Sequence, residues 1–187
     1  MKKIVLLFLI FVLTGCASPK PKFYQPIVVK TSETSYPQFK SAVLLQQLLL
    51  PAEVARPQIT TIGEDNYELK IDEFNRWGAT PEKLFQRVIC QDLESYLPNG
   101  TIEIQSPLRK NYKYAVAIEI SEMGGKLGED AVLMASYFIK NKSGYIIKSG
   151  KLTDKVAISS GYDDYVMAQS KLLGMLSAKI AADLSRL

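Results

Sequence analysis

Apolar positions along the chain fall into segments of distinct period, preceded by a run with no period at all. Residues 4–13 are an unbroken apolar stretch. Ten residues are too few to cross a bilayer as a helix, which takes about 20. Residues 41–50 carry Ala42, Val43, Leu44, Leu45, Leu48, Leu49 and Leu50 ahead of Pro51. They read as a buried strand, with a short helix as the alternative. Residues 58–62 and 67–71 predict a hairpin turning at Gly63-Glu64-Asp65-Asn66. From Thr80, a good N-cap with Pro81 behind it, Leu84, Phe85, Val88, Ile89, Leu93 and Leu97 recur at helical spacing. Pro98-Asn99-Gly100 stops that helix. A short strand follows at 101–105. In 112–123, Tyr114, Val116, Ile118 and Ile120 alternate with Lys113, Glu119 and Ser121, a strand with one wet face. Gly124, Gly125 and Gly128 supply a turn. Residues 131–140 and 145–156 complete an antiparallel meander around Asn141-Lys142-Ser143-Gly144. A second helix is predicted over 162–186, where Val166, Leu173, Leu176, Ile180, Leu184 and Leu187 are spaced by three, four and seven. Asp163 and Asp164 suit the positive end of its dipole and Arg186 the negative end. Its small residues, Gly174, Ser177, Ala178 and Ala181, would let it pack closely on a sheet.

Two long amphipathic helices with these strands predict an α+β fold, a two-layer sandwich. The sheet is mainly antiparallel, both helices pack on one face, and the other face, with Lys113, Glu119 and Lys148, is wet. Residues 16–40 read as a linker broken by Pro19, Pro21, Pro26 and Pro37, spanning roughly 27 Å as a flexible coil. Within it, Phe23, Tyr24, Ile27, Val28 and Val29 fit an edge strand over 23–29, with Pro26 tolerated only at an edge. Residues 41–187 then form a single domain.

Composition narrows the function. Apolar residues make up 47% of the chain, enough for a globular body with a core. The net charge of +4, reduced if Lys2 and Lys3 are removed, gives no nucleic-acid footprint. It permits mild attraction to anionic headgroups. Histidine is absent. A Ser-His-Asp triad, a Cys-His pair and a His-containing zinc site are therefore excluded. Cys90, among Val88, Ile89 and Leu93, reads as a buried inert thiol. Asp163 with Asp164 falls short of an oxygen cage for a cation. The glycines at 124, 125 and 128 lack the strand-to-helix context of a phosphate loop. No catalytic residue, metal site or free cofactor is assigned.

The front of the chain carries the clearest chemistry. Lys2 and Lys3 precede the apolar run, and Leu13-Thr14-Gly15-Cys16 puts small residues before a cysteine. This is the layout of a signal peptide over residues 1–15, and its ending resembles the bacterial lipobox. The resemblance implies cleavage before Cys16, a diacylglycerol on its thiol and an acyl chain on its new amino group. Two or more chains anchor a protein stably where one does not. Ala17, where an Asp would retain a Gram-negative lipoprotein at the inner membrane, implies the outer membrane, with the body facing the periplasm.

A second candidate is the segment 50–59, held between Pro51 and Pro57. A rigid loop presents a patch at low entropy cost. Arg56 suits bidentate pairing with a phosphate headgroup or a partner carboxylate, or else orders its own loop. Trp77 is either a partner anchor or packs the start of the helix onto the sheet. The candidate partner-binding residues are Leu50, Pro51, Val54, Arg56, Pro57, Gln58 and Trp77.

Leu50-Pro51, Arg56-Pro57-Gln58-Ile59 and Arg76-Trp77 shortly before Thr80-Pro81 occur in this order below a lipobox. In this the chain resembles the ABC-type transport auxiliary lipoproteins, also called PqiC-like. The motifs lie between residues 48 and 97. Phe23-Tyr24-Gln25-Pro26 departs from the Tyr-Tyr-x-Leu strand usual in the family. The resemblance implies a non-enzymatic outer-membrane lipoprotein of an MCE/ABC-type system that moves lipids between the two membranes. Its partners would be an MCE-domain protein and an inner-membrane permease, which it would tether and dock. A homo-oligomer is a further expectation, because one small domain offers little surface to a long apparatus. The alternatives are an assembly-factor lipoprotein supporting an outer-membrane β-barrel and a lipid-anchored hydrolase. The hydrolase lacks both histidine and a G-x-S-x-G motif.

Overall fold

In the computed structural model, which describes residues 19–65, 67–106 and 111–187, eight strands and two helices follow one another along the chain. Cys16, its cleavage site and Asn66 of the hairpin turn lie outside the described residues. The strands are β1 (Lys22–Tyr24), β2 (Ala42–Leu49), β3 (Gln58–Ile62), β4 (Leu69–Trp77), β5 (Thr101–Ile104), β6 (Tyr114–Gly125), β7 (Asp130–Asn141) and β8 (Ile146–Ala157). The helices are α1 (Pro81–Tyr96) and α2 (Tyr162–Leu184). Five strands form one sheet in the order β5-β2-β6-β7-β8, and three form a second, β1-β4-β3. The architecture is α+β.

The long ladders β6/β7 and β7/β8 are antiparallel, as the meander predicts. Strand β2 is parallel to both its neighbours, β5 and β6. Parallel strands need long crossovers, and the second sheet with α1 fills the one between β2 and β5. A strand covered on both sides carries a continuous apolar run. Val43, Leu44 and Leu45 are accordingly all buried. The ladder register shifts between Leu45 and Leu48. Strict alternation from Val43 and Leu45 would turn Gln47 inward; the extra residue turns Leu48 inward instead.

Both helices cover the same layer. Helix α1 buries Leu84, Phe85, Val88, Ile89, Leu93 and Leu97, the predicted stripe. Thr80 caps it with its backbone carbonyl, which accepts the Lys83 and Leu84 N–H groups at 3.0 and 3.1 Å; its side chain makes no cap bond. Helix α2 buries Val166, Leu173, Leu176, Ile180 and Leu184. Lys148, expected on the wet face, lies opposite Ile139 on the helix side and reaches Asp183 of α2 at 3.7 Å. An edge strand leaves room there for a long side chain to run out to solvent.

Residues 22–39 are laid along the helix layer. After β1, which pairs in parallel with the end of β4, Pro26 is buried. The Ile27 N–H donates to Ser170 Oγ at 3.2 Å, Thr31 N–H to Tyr96 Oη at 2.9 Å, and Tyr36 N–H to Tyr96 O at 2.7 Å. Phe39 then stacks on Tyr114 with ring centroids 6.2 Å apart. Gly174 faces this strap rather than the sheet: a Cβ there would overlap the Val29 carbonyl. No helix among the described residues is long and apolar enough to cross a membrane.

Candidate functional site

The segment between β2 and β3 is a closed turn. Pro51 O accepts the N–H groups of Val54 and Ala55 at 3.0 and 2.9 Å, and Val54 O accepts that of Arg56 at 2.7 Å. Thr60 Oγ1 holds Glu53 O at 2.9 Å from the side. Pro57 O accepts the Trp77 N–H at 2.7 Å, tying the turn to the end of β4. Gln58 Nε2 donates to the Glu73 carboxylate at 3.2 and 3.3 Å. All seven residues expected to form the surface are thus brought together at one end of the molecule.

They do not all face solvent. Trp77 is buried and meets Phe85 edge-on, ring centroids 5.1 Å apart at 90°. It packs the start of α1 onto the sheet, the second of its two sequence readings. Val54 is also buried, and Leu50 packs against the core. These three are the floor of the loop. Its outer surface is Pro51, Ala52, Glu53, Ala55, Pro57 and the partly exposed Arg56 and Gln58. Arg56 Nε is buried with no hydrogen-bond partner among the described residues. A donor left in that state costs about 1–3 kcal/mol, and it leaves this nitrogen without a bond to its own loop. A cleft of about 230 Å³ opens beneath the loop, between Val54, Thr60, Ile62, Leu69 and Met123.

Other grooves are open and polar. One of about 670 Å³ is lined by Gln47, Thr80, Glu82, Lys83, Gln86 and Gln105. Another, about 460 Å³, lies between β8 and the end of α2, where Lys148 and Arg186 both reach Asp183 at 3.7 Å and Tyr137 Oη donates to it at 2.6 Å. Of its three lysines, Lys148 answers that carboxylate, while Lys151 and Lys179 line the groove beside it.

Cys90 is buried, and its loss of solvation pushes the thiol up to about 11, aided by the nearby Glu94 charge. Its burial is what its apolar neighbours predict, and a thiol held protonated is a poor nucleophile. Sequence reading missed two features. Asp92, fully buried between the helices, carries a carboxyl pushed up to about 7 by burial, against the hydrogen bonds from Ser177 and the Val29 N–H. Along β4, Leu69, Ile71 and Phe74 stand exposed. The predicted strand, ending at residue 71, held Leu69 and Ile71 but stopped short of Phe74, and the observed strand runs on to Trp77; the apolar residue every second or third position was the only signal of a shared row.

Fold and surface together define a single α+β body with a proline-bounded, core-braced loop at one end. The chain belongs to the family described as ABC-type transport auxiliary lipoprotein component, which matches residues 23–181. The match begins in β1 and so includes the strap. Among solved structures, an uncharacterized protein is similar over 88% of this chain and 99% of its own, with TM-score 0.73 and 16% identity. A Xanthomonas campestris protein of the family DUF330 is similar over 85% of this chain and 92% of its own, with TM-score 0.69 and 14% identity. At these identities the likeness is one of fold. No curated protein matches the sequence.

Proposed function

We propose that this protein is a non-enzymatic lipoprotein subunit of an MCE/ABC-type system carrying lipid between the two membranes of a Gram-negative envelope. The match of residues 23–181 to a transport auxiliary lipoprotein family carries this reading, in a chain whose front ends in a lipobox at Cys16. Cys16 bears the diacylglycerol and acyl chain, and the anchor sits in the outer membrane with the body in the periplasm. The partners are an MCE-domain protein and an inner-membrane permease, and the task is tethering and docking rather than chemistry.

The loop 50–58 is the docking element. Its floor of Leu50, Val54 and Trp77 fixes its shape before a partner arrives, so little ordering entropy is lost on binding. Arg56 offers the one cationic fork on it. Arg56→Glu is expected to weaken capture of the MCE-domain protein at least tenfold, or to lower the native oligomeric mass. The exposed part of the side chain tolerates a charge swap within about 0.5 kcal/mol, so a large drop in melting temperature would mean that Arg56, with its buried Nε, is structural instead. Pull-down, native mass and a thermal melt on the same preparation check this. Unaltered pull-down and mass would remove the loop from the interface. Recovery of an outer-membrane β-barrel in place of the MCE-domain protein would favour the assembly-factor alternative.

A further inference from the structure

The exposed apolar row on β4 belongs to a continuous surface. In the ladders of the three-stranded sheet, Phe23 lies opposite Arg76, Ile71 opposite Thr60 and Leu69 opposite Ile62. Residues paired across a ladder share a face, and neighbours along a strand alternate. The inner face is marked by buried Ile59, Thr61 and Trp77. Phe23, Leu69 and Ile71 therefore point outward, and they are 66%, 53% and 44% exposed. Phe74, 43% exposed, stands on the irregular stretch between them, where Asp72 Oδ1 accepts the Phe74 and Asn75 N–H groups at 2.7 Å each. Scattered exposed apolar side chains need no explanation, but several sharing one face do.

Chain length says what covers this face. Only six residue steps separate Cys16 from Lys22, the first residue of β1. Whatever conformation they take, they span at most about 20 Å. β1 is itself the edge of this sheet. Helix α2 has 23 residues and so is roughly 35 Å long. It starts at Tyr162, whose side chain meets Asp72 and Thr61 of the small sheet, and ends beside Tyr137 and Lys148. The loop between β7 and β8 is therefore at the far end, beyond the reach of the leash. An anchor on Cys16 brings the small sheet to the headgroups and keeps the far hairpin away. Lys20 and Lys22, both exposed, lie on the leash side of the patch, the partly exposed Arg76 shares its face opposite Phe23, and Glu68 and Glu73 flank its rim. The charges roughly offset, so the contact is apolar and aromatic. Such side chains favour the interfacial zone of a bilayer.

We propose that the outer face of the three-stranded sheet, with Phe23, Leu69, Ile71 and Phe74, lies in the interfacial zone of the membrane that holds the Cys16 anchor. The protein then rests on the bilayer instead of hanging from a flexible tether, and its long axis points the far hairpin into the periplasm. This rests on the reading of Cys16 as lipidated.

The test uses the acylated full-length mature protein in vesicles of phosphatidylethanolamine and phosphatidylglycerol. An environment-sensitive dye is attached at Phe74→Cys, at Phe23→Cys or, as the distal control, at Ser143→Cys. Cys16 is blocked by its lipid, and buried Cys90 does not compete for the dye. Mass spectrometry reports acylation of each preparation, and brominated lipids report depth. The dye at Phe74 and Phe23 is expected to shift to the blue and to be quenched at least threefold more than at Ser143. Equal quenching, or an aqueous spectrum at Phe74 in acylated protein, would overturn this surface and leave it to a protein partner, with the lipoprotein reading intact. Stronger quenching at Ser143 would overturn it by reversing the orientation. Absence of acyl chains on Cys16 would overturn both readings.

Discussion

Asp92 sits on the inner face of α1, one turn from Val88 and Tyr96, with no exposed surface. Ser177 Oγ approaches Oδ2 at 3.4 Å, and Oδ1 has no partner among the described residues. Burial raises the folded carboxyl to about 7, above its unfolded value near 4. The native state thus holds this proton more tightly than the unfolded chain does. Its favourable contribution is complete below the unfolded value, is lost as pH rises from about 4 to 7, and stays lost above that. Asp92→Asn should remove this dependence. Urea unfolding is expected to find the variant more stable than the parent at pH 8, by roughly 1–4 kcal/mol, with the gap closing by pH 4.5. An identical pH trend in parent and variant would mean that Asp92 is already solvated. The sequence places Asp92 beside an apolar stripe, where a charge reads as solvent-facing. Only the meeting of α1, α2 and the strap buries it.

At the scale of elements, the strap and the two helices depend on one another. Helix α2 presents Gly174 to the Val29 carbonyl, and the helical backbone needs no glycine there. The reason is close approach. Gly174→Ala is expected to lift the strap and cost about 1–3 kcal/mol, as overpacking does. Hydrogen exchange should then speed up at the Ile27 and Thr31 amides, whose acceptors lie on α2 and α1, while the β6 and β7 amides keep their protection. Unchanged exchange at both amides would show that the strap contributes nothing to that contact. Leu93→Asp tests the helix layer itself. It would bury a charge where Leu93 has no exposed surface, costing several kcal/mol of a typical 5–15. Loss of soluble expression is expected, and a thermal melt equal to the parent's would contradict the packing of α1 on the sheet.

For the molecule as a whole, the short leash changes what anchoring means. With the proposed anchor on Cys16, a 24-residue coil would let the body roam, whereas six residue steps would hold it against the headgroups. Cys16→Ser should release the body from membranes, because an apolar sheet face alone binds weakly and reversibly, as a single acyl chain does. Density fractionation of cells expressing the variant checks this. A variant that still floats with the outer membrane after a salt wash would mean that the anchor is elsewhere.

The sequence by itself determined what local period and local chemistry can encode. Both helix stripes, the β6–β7–β8 meander, the fold class and the family motifs from Leu50 to Trp77 are legible because each is a property of residues near one another in the chain. Tertiary structure decided the rest. It made β2 parallel to both neighbours, since strand direction depends on the crossovers between strands. It separated β1, β3 and β4 into a sheet of their own. It turned Trp77 and Val54 from candidate contacts into the floor of a loop, because exposure depends on what arrives from elsewhere in the chain. Residues 22–39 show the difference most clearly. Their prolines and polar residues describe a linker, and locally nothing contradicts that. What holds them is a row of donors and acceptors on Ser170, Tyr96 and Asp92, 65 to 143 residues away for the Thr31 and Ile27 contacts. Partners at that separation leave no period in the sequence to read.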